Sequence, residues 1–290
     1  MAVPFFEVTR CVELAPSRYR AEIDASWNLR PLPQGGVVTA IALRAMAETL
    51  GDPKQRLRTL HTTFVAQVAH GPVEIEVELL RRGRSMSQLR AEVRNPGASR
   101  GHITTAVFGS SRRGFEFTDL ALPPNLPRPA ESPSFRSPPP PDFAPRFAPM
   151  PFWERHVEGR VALGHAPWEE YLPERAERAF WYRFDDPPYL PDGTIDPASL
   201  VVLADTMPGA VGEKVGPRHR EWFAPSVDLS MHILAECRSG WVLAHNQARH
   251  AGDGYASGDI SLWDCGTEGA DPPRLVAYAT QIFCFSFASF

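Results

Sequence analysis

Twelve of the chain's 30 prolines fall between Pro123 and Pro151, in PPNLPRPAESPSFRSPPPPDFAPRFAPMP. A segment so rich in proline is extended and lacks most of the N–H donors a strand needs, so neither a helix nor a central strand can run through it. It therefore reads as a linker over 119–152, separating a first domain over 1–118 from a second over 153–290, each of ordinary size. With 43% hydrophobic and 22% charged residues, the chain can build a core and is not a disordered polymer. Its 30 basic residues against 34 acidic ones give a net charge of −4, without the basic excess that drives nucleic-acid binding.

The two halves read alike. In the first, Gly35-Gly36 opens VVTAIALRAMAETL, an apolar, alanine-rich helix that stops at Gly51 with Pro53 beyond. Short β-like runs follow, TLHTTFVAQV, PVEIEVELLRRG, RSMSQLRAEVR and GHITTAVFGSS, while YRAEIDASWNL before the helix supplies a strand or two. In the second half, AFWYRFDD precedes a helix from Pro197 to Met207 with Asp196 as its N-cap. The runs PSVDLSMHILAEC, GWVLAHNQARHA, ASGDISLWDC and RLVAYATQIFCFSF follow it. The turn Gly83-Arg84-Ser85 has its counterpart in Gly252-Asp253-Gly254, as an internal duplication of two α+β units requires.

Three polar residues sit in apolar settings. Asp205, in LVVLADTM, is either a buried carboxylate that must find partners or protonate, or an exposed acid at a helix end, since Pro208-Gly209 follows. Ser226 opens a run in which Ser226, Asp228, Ser230 and His232 alternate with apolar residues. Period two puts that polar set on one face, which meets solvent or lines a cleft. Asp228 and His232 are candidates for supporting such a cleft. Gln281 lies in LVAYATQIFCF, apolar on both parities and so expected to be covered on both faces. By parity it shares a face with Ala277, Ala279 and Phe283, where its amide must be hydrogen-bonded.

Taken in order, the Gly35-Gly36 helix opening, ELLRRGRSMSQLRAEV, Ala204-Asp205, PSVDLSM and LVAYATQ resemble the acyl-CoA thioesterase II family along nearly the whole chain. That resemblance implies an α+β double hot-dog, two repeats each with an antiparallel sheet wrapped around a long central helix. It implies hydrolysis of an acyl-CoA thioester by water held between an acid, a hydroxyl and an amide, which match Asp205, Ser226 and Gln281. Serine stands where some bacterial members carry threonine. Gly36, Arg84 and Ser85 become substrate-contact candidates, with Arg81 and Arg82 beside them as further partners for coenzyme A phosphates, although a solvated charged turn accounts for the same arginines. The first-half helix has Thr39 and Ala40 where the acid would stand, so one active site per chain is expected.

Competing chemistries lack their motifs. The nearest string to a GxSxG elbow, Gly83-Arg84-Ser85-Met86-Ser87, fails at its last position, and the hydratase pattern of Asp with His five residues later meets Ala210 instead. No HExxH pair is present, and four widely spaced cysteines without CxxC read as reduced thiols, so neither metal nor cofactor is expected. The opening MAVPFFEVTR lacks the regions of a signal peptide and no run is long enough to span a bilayer, which leads to the expectation of a cytoplasmic protein with no membrane partner. Sheet edges leave a homo-oligomer open. The alternative function is a non-catalytic double hot-dog that binds an acyl-CoA or polyketide, or serves in tailoring it.

Overall fold

The computed structural model describes the 290-residue chain apart from residues 1, 30, 139–140, 142–149, 167, 220, 270 and 288–290. The first half contributes β1 (Val12–Ala15), β2 (Arg18–Ile23), β3 (Arg56–Phe64), β4 (Gly71–Arg81), β5 (Met86–Arg94) and β6 (His102–Gly109), with a short α1 (Phe5–Val8) and the long α2 (Gly35–Leu50). From the second come α3 (Pro151–Arg155), β7 (Val157–Leu163), β8 (Glu177–Phe184), α4 (Pro197–Ala204) and α5 (Gly209–Val215). After these run β9 (Trp222–Phe223), β10 (Asp228–Ile233), β11 (Val242–Gly252), β12 (Tyr255–Asp264), β13 (Arg274–Cys284) and β14 (Ser286–Phe287).

Twelve strands form one antiparallel sheet in the order β1-β2-β4-β5-β6-β3-β10-β13-β12-β11-β8-β7. Outward from the central β3–β10 pair, the two halves repeat one order, with β6, β5, β4, β2 and β1 matched by β13, β12, β11, β8 and β7. The duplication seen in the sequence is therefore a duplication of topology. Pairing of β3 with β10, Thr63 opposite Asp228 through Thr59 opposite His232, joins the units into one sheet and leaves neither a free edge there.

The helices lie side by side against this sheet. Helix α2 is buried along most of its length, because Val37, Ile41, Ala45 and Met46 belong to the core and Gly36 lets the helix approach α4 closely. All seven residues from Ala198 to Ala204 in α4 are buried as well, so one apolar core spans both halves. The two helices run antiparallel, since Arg44 in α2 donates to Asp196 at the start of α4 (2.5 Å) while Gly36 at the start of α2 meets Asp205 beyond the end of α4.

Helix α4 is shorter than its apolar run suggests. It ends at Ala204, where Thr206 N–H turns back to Ala204 O (2.8 Å) and Pro208 bars continuation, which leaves Asp205 as the C-cap. The proline-rich segment also does more than separate the halves. Phe135 N–H donates to Gly159 O, Val161 N–H to Pro133 O and Trp181 Nε1 to Pro127 O, so residues 127–135 dock on β7 and β8, with Phe135 packed edge-on to Phe180. Residues 139–140 and 142–149 of the expected linker lie outside the described residues. No helix among the described residues is long and apolar enough to cross a membrane.

Candidate active site

The three polar residues singled out in the sequence converge in the cleft between the start of α2, the end of α4 and the β10 and β13 strands. Gln281 Nε2 donates to Asp205 Oδ1 at 2.6 Å and contacts Ser226 Oγ at 2.9 Å, and Ser226 Oγ donates to Asp205 Oδ1 at 3.3 Å. The other carboxylate oxygen, Oδ2, accepts the Gly36 N–H at 2.9 Å. Asp205 is 8% exposed and Gln281 2%.

Burial pushes the Asp205 carboxyl up to about 6, because removal from water penalises the anion. Hydrogen bonds from Gln281, the Gly36 N–H, Ser226 and the Gly35 N–H oppose that rise. The start of α2 also presents the positive end of its helix dipole to the carboxylate. An acid with these neighbours is poised to exchange a proton near neutrality, the behaviour required of a general base. Gln281 Oε1 is buried and has no hydrogen-bond partner among the described residues, so the amide that holds Asp205 keeps a free acceptor in the cleft.

Ser226 reaches this cleft through a departure from alternation. Period two groups it with Asp228, Ser230 and His232, yet those residues lie on the outer face while Leu229 and Met231 are buried. Ser226 bridges Phe283 whereas Ser230 pairs with Thr280, so four steps on one strand span three on the other. This bulge turns Ser226 to the inner face. It also frees the Ile282 N–H from the regular ladder, and Asp228 Oδ1 accepts it at 2.7 Å while Ile282 O takes the Val227 N–H. Asp228 thus secures the bulge, and His232, bonded to Thr59 Oγ1 at 3.0 Å, belongs to the outer surface. Neither touches the trio.

Gln281 follows its parity, with Ala277, Ala279 and Phe283 buried beside it. The expectation of cover on both faces fails, for Thr280 and Ile282 on the opposite face are exposed. An antiparallel strand needs only one packed face, and Ile282 on the other stands at the surface.

The substrate-contact candidates are dispersed. The Gly36 amide is engaged by the Asp205 carboxylate, and a Cβ there would lie 2.7 Å from Val201 O, so this glycine permits the close approach of α2 to α4. That engagement also means the helix-start amides address the acid. Arg84 and Ser85 lie at the opposite end of α2. Their turn is anchored there by Arg82, which donates to Leu50 O at 2.7 Å, and Ser85 Oγ accepts from Arg112 at 2.7 Å. A 16-residue helix at about 1.5 Å per residue separates them from Asp205 by most of its length.

Sequence reasoning missed Gln34. Wholly buried, it caps α2 by accepting the Val37 N–H at 2.9 Å, and its Nε2 donates to Val202 O at 2.9 Å and Asp205 O at 3.1 Å. One side chain thereby satisfies a donor at the start of α2 and two acceptors at the end of α4. Its position just before Gly35-Gly36 signals an N-cap, but the partners lie some 170 residues away and leave no local trace. Phe64, at the end of β3, closes the cleft beside Gly35 and stands edge-on to His102 at 4.8 Å.

Models of the acyl-CoA thioesterase N-terminal and C-terminal domains match residues 23–109 and 129–283. The chain belongs to the acyl-CoA thioesterase family. Among solved structures it is similar to a hot-dog-fold protein of unknown function from Alicyclobacillus acidocaldarius, with 23% identity, 98% of each chain covered and a TM-score of 0.78. It is also similar to the acyl-CoA thioesterase II TesB2 of Mycobacterium marinum, with 23% identity, 98% of this chain and 99% of that one covered, and a TM-score of 0.73. At that identity the likeness speaks for the fold alone, a double hot-dog. No curated protein matches the chain.

Proposed function

We propose that this thioesterase-family chain hydrolyses an acyl-CoA thioester to a free acid and coenzyme A, with Asp205 as general base. The observation that carries the reading is the convergence of Gln281, Ser226 and the α2 start on a single buried carboxylate raised to about 6. Asp205 takes a proton from a water as that water attacks the thioester carbonyl, and the C–S bond then breaks as the thiolate leaves with a proton. Ser226 and Gln281 orient both water and acid: the serine hydroxyl can donate or accept, and Gln281 Oε1 is free to accept from the water. No covalent acyl-enzyme is needed, and no metal or cofactor enters the scheme.

Release of free thiol from acyl-CoAs running from acetyl to palmitoyl, by wild type and Asp205→Asn in parallel, tests the proposal. Turnover by wild type that falls about 10²–10⁴-fold in the variant, with the fold retained, is the expected result. Wild type inactive on every chain length would overturn the assignment. Equal activity in both proteins would remove Asp205 from the reaction.

A further inference from the structure

The pseudo-twofold relation between the halves generates a second cleft at the start of α4, equivalent to the one at the start of α2. Leu43 and Leu57 line it. The place of the acid, expected at Thr39 or Ala40, falls instead at Leu43, which lies nine residues after the N-cap Gln34 as Asp205 lies nine after the N-cap Asp196. Leu57 pairs with Phe108 as Ser226 bridges Phe283. In β6 the position matching Gln281, two residues before that phenylalanine, is the buried Ala106. All three positions of the trio are thus aliphatic here.

This cleft has not been filled in. It holds a cavity of about 550 Å³, between α2 at Leu43, Arg44 and Ala47, the first turn of α4, and the loop carrying Leu190 and Asp192. Small-ligand pockets span roughly 300–1,000 Å³, so the space suits a ligand and exceeds a packing defect. Its walls include Leu43, Leu57, Phe108, Ile195, Leu200 and Ile233, and its rim is charged. Two rim arginines are neutralised: Arg44 bonds Asp196, while Arg56 bonds Glu236 and, at 3.4 Å, Asp192. The third, Arg58, is half-buried and donates to neutral acceptors, Gly109 O at 2.9 Å and Ser111 Oγ at 3.4 Å, with no carboxylate partner among the described residues.

We infer that this cavity is a non-catalytic binding site for a medium-chain fatty carboxylate, with the alkyl chain against Leu43, Leu57 and Phe108 and the carboxylate on Arg58. An apolar cleft with one guanidinium free of acidic partners complements a single anionic head on an aliphatic chain. A ligand of this class is the acid that thioester hydrolysis releases, so the site lets product accumulate on the enzyme away from Asp205.

Equilibrium dialysis against decanoate, counting equivalents bound, tests the inference on wild type, Ala47→Trp and Arg58→Gln. Ala47 is an exposed helix position on the cavity wall, so tryptophan there can fill the space without entering the packed core. The expected result is one equivalent fewer in Ala47→Trp and severalfold weaker binding of that equivalent in Arg58→Gln, with melting temperatures close to wild type. Wild type that binds no decanoate saturably, or binding left unchanged by both substitutions, would overturn it. Binding is read directly, so loss of the hydrolytic assignment and loss of this site are distinguishable.

Discussion

The two helix-end clefts share a plan and differ in three residues. At the end of α4 the cleft holds Asp205, Ser226 and Gln281, hydrogen-bonded to one another and to the start of α2. Its counterpart has Leu43, Leu57 and Ala106 in those places. The fold thus supplies two equivalent places where a helix start, a helix end and two strands meet, and the side chains decide which of them can move a proton. A buried carboxylate is costly unless its hydrogen bonds are met, so the polar set stands together in one cleft and is absent as a set from the other.

If the comparison holds, damage to the polar cleft should be graded by each group's closeness to the proton. Asp205→Asn removes the base and should lower kcat/KM with acyl-CoA about 10²–10⁴-fold, measured by thiol release. Gln281→Leu should cost less, on the order of 10–100-fold, as an orienting amide is lost and the base itself survives. It should also move the acid limb of the pH–rate profile. Asp205 acts when ionised, so the rate should rise with pH through about 6 in the wild type. Gln281 donates to the ionised form, and its removal should shift that limb to higher pH. An unmoved limb would mean that another group controls it.

Ser226→Ala should lower turnover severalfold, and Ser226→Thr should retain activity by keeping the hydroxyl. A sharper version targets the bulge. Asp228→Ala leaves the trio's side chains intact but removes the acceptor that holds Ile282 N–H, and it should misplace Ser226 and reproduce much of the Ser226→Ala loss. On the apolar side, Leu43→Ala should cost about 2–5 kcal/mol of stability in denaturant unfolding with kcat/KM nearly unchanged. A large loss of activity there would erase the functional contrast between the clefts.

Much of this architecture is legible in the sequence because it is periodic. Eight strands and both core helices announce themselves by apolar patterning, and the order of elements exposes the duplication. Gln281 follows simple parity to the inner face. Ser226 does not, because a bulge is a relation between two strands and its second member, Phe283, is 57 residues downstream. Gln34 is hidden for the same reason, with acceptors on a helix that only the folded chain brings near. The early end of α4 has a local cause in Pro208, but the partner that Asp205 meets once it stands at the C-cap, the Gly36 N–H, is hidden in the same way. Short β1 and α5 carry too few residues for a period to register.

In the proposed mechanism Asp205 activates water and does not itself attack the thioester. Single-turnover hydrolysis with enzyme in excess, run in heavy-oxygen water and read by mass spectrometry of the released acid, separates the two. General-base attack predicts one heavy oxygen in the acid and none in the Asp205 peptide. An unlabelled acid, with heavy oxygen appearing in the Asp205 carboxylate, would exclude general-base attack and identify the aspartate as the nucleophile.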